Sequence, residues 1–254
     1  MQQKEVRTPH GEARAARDGV RAAREGVRTA QDEARGRILD AAEELFYGRG
    51  VQAVGMDELR AAAGVSLKRL YQCFPAKQDL VEAYLRRRDA RWRAALAEYV
   101  DAHGEGPEGR VLAVFDWLAE WFAEPGFRGC AFLNSFGELG ATSEEVAWAA
   151  REHKRALVSY LGGLVSDLPG DLPSDLSSGR LPSGRLPSGL VSDLPGGHSV
   201  PQHSLLAGQL ALLVDGAISA AAVVGEAGAA RQARAAAAIL LAAARSDSAE
   251  AAAP

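Results

Sequence analysis

The sequence predicts an all-α protein, and three observations carry that reading. Aromatic residues are only 6% of the 254 residues while alanine dominates long stretches, a balance that favours helix over strand. Apolar residues recur at i, i+3/i+4 and i+7 in segment after segment, the period of a helix with one buried face. Hydrophobic residues at 47% and charged residues at 24% supply a full-sized core for one or two domains and exclude wholesale disorder.

The first element is a polar, arginine-rich arm over residues 1–36, in which AARDGVR, AAREGVR and TAQDEAR repeat a seven-residue unit. Val20, Val27 and Ala34 share one phase of that repeat. One small apolar residue per heptad is too little for a coiled coil, and Gly19 and Gly26 each cost a helix roughly 1 kcal/mol against alanine. The expectation is a marginal helix, flexible in isolation.

Residues 37–84 read as a compact helical domain. Ile38, Leu39, Ala42, Leu45 and Phe46 line one face of its first helix, which Gly48 and Gly50 stop. A short helix follows over Met56–Ala63, then a turn at Gly64, then a third helix over Ser66–Phe74 that Pro75 ends. A fourth begins near Lys77, with Leu80, Tyr84, Trp92 and Leu96 on one side and an arginine run mostly off it.

Residues 85–244 read as a second helical region. Residues 101–110 are a hinge-like loop, and helices are expected over 111–122, 130–139 and 143–165. The tract 166–203 is low in complexity, rich in Ser, Gly, Pro, Leu and Asp, with VSDLPG at 165–170 and again at 191–196. Regular Pro and Gly forbid helix there and the apolar content is too thin for a core, so it reads as a disordered, repeat-expanded insertion. Two long Ala/Leu helices follow, Leu205–Val224 and Ala229–Ala244, then a frayed tail over 245–254. Leu205–Val224 carries Asp215 and lacks basic flanks, so it is expected to be buried in protein on several faces rather than to span a membrane.

Charge is unevenly placed. Residues 1–100 hold 19 Lys+Arg against 15 Asp+Glu, and the remainder 10 against 18, within an overall net charge of −4. A polyanion would therefore bind at the front. Within that front half, Gly55–Phe74 has the form helix, glycine turn, helix. Ala62 and Ala63 let the helices cross closely, Gly64 supplies a left-handed residue and Ser66 is placed to cap the third helix. With Val65 and Leu70 inward, Leu67, Lys68, Arg69, Tyr71 and Gln72 face out, with Cys73 at the margin. Two cations, a phenol and an amide suit a major groove walled by phosphates, whereas the plainer reading is a solvated polar face on a three-helix bundle.

The stretch RILDAAEELFYGRGVQAVGMDELRAAAGVSLKRLYQCFPAKQDLVEAYL, residues 37–85, resembles the N-terminal domain of the TetR/AcrR family of transcriptional regulators. The shared features are the A-x-x-L-F helix ending in Gly50, the second helix with Asp57 and Leu59, the A-x-A-G-V-S turn and the L-Y-x-x-F-x-x-K run. The resemblance covers about one fifth of the chain. It implies a helix-turn-helix DNA-binding domain followed by a ligand-binding and dimerisation domain. It implies, too, a two-fold symmetric repressor that sets paired third helices in successive major grooves of a near-palindromic operator. Carried over residue by residue, Leu67, Lys68, Arg69 and Gln72 sit where the family reads bases or nearby phosphates, Tyr71 and Lys77 where it contacts phosphate, and Ser66 at the cap. One departure stands out: Val54-Gly55-Met56 replaces the hydroxyl residue usual before the second helix. Gly55 still serves as an N-cap, and Glu58 keeps the return half of a capping box.

In the rear half, RGCAFLNSFGELG (128–140) and LALLVDGAISAAAVVG (210–225) resemble the family's ligand-binding and dimerisation regions. Leu205–Val224 and Ala229–Ala244 are accordingly expected to build a four-helix homodimer interface. Trp117, Trp121, Phe132, Phe136 and Trp148, with Asn134 and Glu138, are candidates for an apolar cavity holding a small-molecule effector, although each taken singly is ordinary core.

No enzyme signature stands against this reading: there is no Gly-rich phosphate loop, no G-x-S-x-G and no catalytic acid/base pair, so no catalytic residue is assigned. The five histidines lack metal-ligand spacing and two cysteines cannot hold a zinc ion alone, so no metal and no cofactor is expected. Cys130 has no nearby Lys or His in sequence, only Arg128, and together with Cys73 it reads as an inert buried thiol. The N-terminal stretch reads without an apolar h-region, so a reducing cytoplasm is the default expectation. The expected function is a ligand-released repressor. A non-specific architectural DNA binder using the arginine arm is the rival, and an enzyme on a helical scaffold the weaker one.

Overall fold

The first helix, α1, runs from Pro9 to Arg49 without a break. This is a computed structural model that describes residues 9–168 and 202–251. At 1.5 Å per residue, 41 residues make a rod of about 60 Å. The boundary expected at residue 36 is not a structural one, because the Ala and Arg around Gly19 and Gly26 favour helix enough to offset those glycines. Ala34 is already buried, and Arg35 donates through Nη1 to the Cys73 carbonyl at 3.0 Å while its guanidinium lies 4.2 Å from the Phe74 ring centroid.

The chain divides between Tyr84 and Leu85 into two units. In the first, α1 packs on α2 (Met56–Ala62) and α3 (Leu67–Cys73), and α4 (Lys77–His103) begins. Ile38, Ala42, Phe46, Leu59, Leu70, Phe74, Leu80 and Tyr84 form its core, with Phe46 and Tyr84 edge to face at 5.6 Å. The start of α4 is fixed by Asp79, whose Oδ2 accepts from the Ala76 amide at 2.8 Å.

The second unit contains the rest of α4 with α5 (Gly106–Phe122), α6 (Ala131–Leu139), α7 (Glu144–Ser166), α8 (Gln202–Ser219), a π-helical turn (Ala220–Val224) and α9 (Ala229–Ala251). Helix α7 packs on α5, α6 and α8, and α9 lies against α5 and α8. Ser143 caps α7 by accepting from the Val146 amide at 3.2 Å, with Glu144 and Glu145 in the first turn.

Several sequence expectations need adjusting. The loop read over 101–110 shrinks to Gly104 and Glu105. Gly104 permits this, since a Cβ there would fall 2.7 Å from the Val100 carbonyl, and Pro107 fits the first turn of α5. The tail read as frayed from 245 is helical to Ala251, in keeping with its Ala-rich composition. The end of the Leu205–Val224 helix departs from α geometry, closing as a π turn capped by Gly225 at φ +73°. That helix is long and apolar enough to cross a membrane, yet Leu206, Leu210, Val214 and Ile218 are buried within the unit. It is not buried on several faces as expected, because Leu205 and Leu212 remain exposed, Leu212 at 73%. Of the low-complexity tract, residues 169–201 lie outside the described residues, as do residues 1–8 of the arm and 252–254 of the tail.

Candidate functional site

The helix-turn-helix is set by its turn. The Val65 amide donates to the Arg60 carbonyl at 3.1 Å and the Gly64 amide to the Ala61 carbonyl at 3.2 Å, a Schellman motif closing α2. Gly64 takes the left-handed conformation at φ +62°, where an L side chain is strained. Ser66 then caps α3, its Oγ accepting from the Arg69 amide at 3.2 Å. Of the two alanines expected at the crossing, Ala63 is buried there and Ala62 is exposed.

This local chemistry orients α3. Leu70 and Cys73 are buried. Ser66, Leu67, Lys68, Tyr71 and Gln72 are exposed, and Arg69 is half-buried at the edge of the same face. Lys77, in the first turn of α4, is half-buried with Nζ 5.9 Å from the Phe46 ring centroid. Gly55 precedes α2 in an extended conformation with no side-chain cap. Glu58, read as returning to that cap, pairs instead with Arg49 of α1.

The second unit divides the seven candidate pocket residues. Trp117 and Trp121 stack at 5.5 Å, and Trp92 meets both edge to face, at 5.1 and 6.0 Å. Phe132 stacks on His153 at 3.8 Å, and His153 meets Trp92 at 5.1 Å, so Trp117, Trp121 and Phe132 belong to one aromatic cluster. Asn134, Phe136 and Trp148 are not in it. They lie on exposed faces of α6 and α7, Trp148 at 54%, and Asn134 donates to the Arg128 carbonyl at 3.0 Å. Glu138 is half-buried toward the end of α6. Helix α6 buries only the side holding Phe132 and Ser135, which is why residues at 134 and 136 turn outward. A separate cleft of about 380 Å³ runs between α4 and α7, lined by Trp92, Leu96, Leu157 and Tyr160 among others.

Around His153 lies a polar group that sequence reading missed. His153 is 4% exposed, with Nδ1 2.7 Å from Asp89 Oδ1 on α4. Arg93 holds the other oxygen of Asp89 at 2.7 Å. Burial would lower the His153 pKa, but hydrogen bonds to Asp89 and Cys130 raise it above the ordinary 6.5 against the opposing charge of Lys154. Burial would raise Asp89, yet His153 and Arg93 hold it below the ordinary 3.8. Lys154 Nζ lies 2.5 Å from Asp215 Oδ1 on α8 and 3.8 Å from Cys130 Sγ.

Cys130 is buried, as read from the sequence, but charged neighbours surround it. Burial would push it up, but the His153 hydrogen bond, the charges of Lys154 and His153 and the Leu133 backbone hydrogen bond together bring it below the ordinary 9.0. His153 and Lys154 sit more than twenty residues along the chain, out of reach of a local search. One local signal was present. Val146, Ala150, His153, Leu157, Leu161 and Leu164 form one buried helical series, and a histidine inside such a series marks a polar group in the core.

Comparison with known proteins places these features. The profile of the family described as bacterial regulatory proteins, tetR family, matches residues 38–84. The chain is 45% identical over 144 residues to the uncharacterised HTH-type transcriptional regulator Rv1255c of Mycobacterium tuberculosis, covering 46% of this chain and 71% of that one. It is 52% identical over 56 residues to the HTH-type transcriptional activator FasR of Mycolicibacterium smegmatis, a match spanning 22% of this chain and only 26% of FasR's length. In structure it is similar to SCO4454, a TetR-family transcriptional regulator from Streptomyces coelicolor. The TM-score is 0.65 and the identity 27%, over 83% of this chain and 95% of that one.

Proposed function

The chain belongs to the TetR family of bacterial regulatory proteins, and from that premise we propose that it is a cytoplasmic homodimeric repressor, released from a near-palindromic operator by a small molecule. The observation that carries the reading is the face of α3. Leu70 and Cys73 anchor the helix inward while Lys68, Tyr71 and Gln72 stand exposed with Arg69 beside them. Lys68 and Arg69 reach guanine O6/N7, Gln72 pairs with adenine, Leu67 gives apolar contact, and Tyr71 and Lys77 hold phosphates, with Ser66 fixing the helix start. Phosphate contacts supply most of the affinity and base contacts the discrimination.

Dimerisation through α8, the π turn and α9 is supported by exposed apolar side chains: Leu205, Leu212, Val223 and Val224 on the first two, Ile239 on α9. The effector is proposed to lodge in the second unit, whose α4–α7 cleft and aromatic cluster offer apolar lining. A ligand that prefers a conformation unfit for the operator weakens DNA binding by that difference in affinity.

Mobility shifts on a duplex selected from random DNA, against unselected duplex at several salt concentrations, test this directly. The expected preference is about a thousandfold or more. Equal binding to both duplexes would instead favour the architectural reading through the arginine arm.

A further inference from the structure

The family profile matches from residue 38 onward, yet α1 begins at Pro9. Ahead of the buried Ala34, residues 9–33 make roughly 37 Å of helix that the matched domain does not account for. Arg35 sets the rotation of this extension. Its guanidinium lies 4.2 Å from the Phe74 ring centroid and its Nη1 donates to the Cys73 carbonyl at 3.0 Å, so the Arg35 side of the rod is the side of α3. At about 100° per residue, Arg14, Arg17, Arg21, Arg24 and Arg28 all fall within about 60° of Arg35. They form one stripe in register, about 21 Å from first to last. Arg21 and Arg28 are exposed.

The charge of the extension is segregated rather than large. Residues 9–36 hold six arginines and five acids. Asp18, Glu25 and Asp32 lie about 60–100° to one side of Arg35, while Glu12 and Glu33 lie on the back of the rod. Exposed arginine–carboxylate pairs at helical spacing are weak, so a dense row of phosphates displaces them. The stripe has a direction as well as a sign. Helix α3 packs on α1 with Leu70 and Cys73 inward, and it presents Lys68, Tyr71 and Gln72 on its far side. The direction from α1 through α3 is therefore the direction of a duplex held by α3, and the arginine stripe points that way.

We propose that the extension is a second DNA contact, in which Arg14, Arg17, Arg21, Arg24 and Arg28 meet phosphates beside the base pairs that α3 reads. The occupant is duplex DNA rather than an acidic protein, because the stripe and the cations of α3 serve one side of one unit. The stripe covers about six base pairs at about 3.4 Å each. It adds affinity and footprint without discrimination, since phosphates carry no base identity. The inference rests on the DNA-binding reading above and widens the surface assigned to it.

The test compares the full native chain with Arg17→Gln/Arg21→Gln/Arg24→Gln/Arg28→Gln, in which glutamine keeps helix propensity and removes charge. Binding to the selected duplex, carrying random flanks on both sides, is followed by anisotropy across salt concentrations, and backbone protection by hydroxyl-radical footprinting. The salt dependence of the variant should be shallower by about 0.9 for each phosphate lost, hence by about 3 to 4 per protomer bound. Its footprint should narrow by several base pairs, while its ratio between selected and random duplex matches that of the native chain. A second variant, Asp18→Asn/Glu25→Gln/Asp32→Asn, keeps the arginines and removes the acids beside them. It should tighten binding severalfold, whereas a stripe that acts only through helix stability gains nothing from losing its acid partners. Equal salt slopes and equal footprints for the native chain and the arginine variant, or no tightening in the second variant, overturn the proposal. A native chain without preference for the selected duplex overturns the regulator reading instead, and the salt slopes still decide whether the stripe meets DNA.

Discussion

The two units handle polarity in opposite ways. Up to Tyr84, the buried side chains among the described residues are hydrocarbon apart from the Cys73 thiol and the Tyr84 phenol, and the polar groups of α3 face outward. From Leu85 onward, polar groups enter the interior, and all three fully buried polar side chains among the described residues, Ser135, Ser143 and His153, lie there. A surface that meets a polyanion leaves its cations hydrated until the partner arrives, so its folding depends little on them. An interior that holds Asp89 against His153 ties stability to charge, because each group stripped of its partner remains buried.

That contrast predicts which substitutions damage binding and which damage folding. The largest effect is expected from the Lys68→Ala/Arg69→Ala double variant. At about 1–3 kcal/mol per lost contact, binding to the selected duplex should fall roughly a hundredfold or more with the urea midpoint nearly unchanged, as fluorescence anisotropy and circular dichroism would show. Undiminished binding by the folded double variant would break the comparison at its first half.

The mirror case is Asp89→Asn, which leaves His153 buried without its anion. About 2–3 kcal/mol of the second unit's stability should be lost, somewhat under the full value for a buried pair because Asp89 retains 20% side-chain exposure. Urea denaturation followed by tryptophan fluorescence reports it, since all four tryptophans lie in that unit. A loss confined to DNA binding would contradict this assignment.

Acid and base sharpen the same point. His153 is raised above 6.5, so its stabilisation is complete below that pH and disappears as pH climbs through the elevated value. Asp89 is depressed below 3.8, so its share is complete above that pH and disappears as pH drops through the depressed value. In a Cys130→Ala background, where no thiol titration opposes the imidazole, the urea midpoint of the second unit should decline above neutrality. His153→Gln should flatten that decline.

The smallest effects belong to the turn. Ser66→Ala should cost about 1 kcal/mol by removing the α3 cap, and Gly64→Ala about 1–2 kcal/mol through its left-handed φ. Both lower the melting temperature of the first unit, readable by calorimetry.

Legibility follows the same division. The turn at Gly64, the cap at Ser66 and the outward residues of α3 could be read because each depends on neighbours within a few positions. The arginine arm was separated too early for a related reason. Arg35 belongs to the folded unit through the Cys73 carbonyl, 38 residues away. The interior of the second unit rests on links of 64 residues for Asp89–His153 and 61 for Lys154–Asp215. No window of sequence contains them. What the sequence did carry was placement: Leu85, Asp89, Trp92, Leu96 and Val100 follow helical spacing, so an acid occupies a position where the period calls for hydrocarbon. Reading Asn134, Phe136 and Trp148 as cavity wall failed because aromatic or amide character says nothing about which side of a short helix meets the core.

The π turn at Ala220–Val224 carries a geometric consequence. Such a turn houses one more residue than an α turn, so everything beyond it is rotated by about 100° relative to an uninterrupted helix. Val223 and Val224, at 84% and 76% exposure, fall within that turn at the end of the helix. Excising a single alanine, Ala221, would restore ordinary winding and swing both valines to a different bearing, changing the shape offered to a second protomer while leaving almost the whole composition of the helix intact.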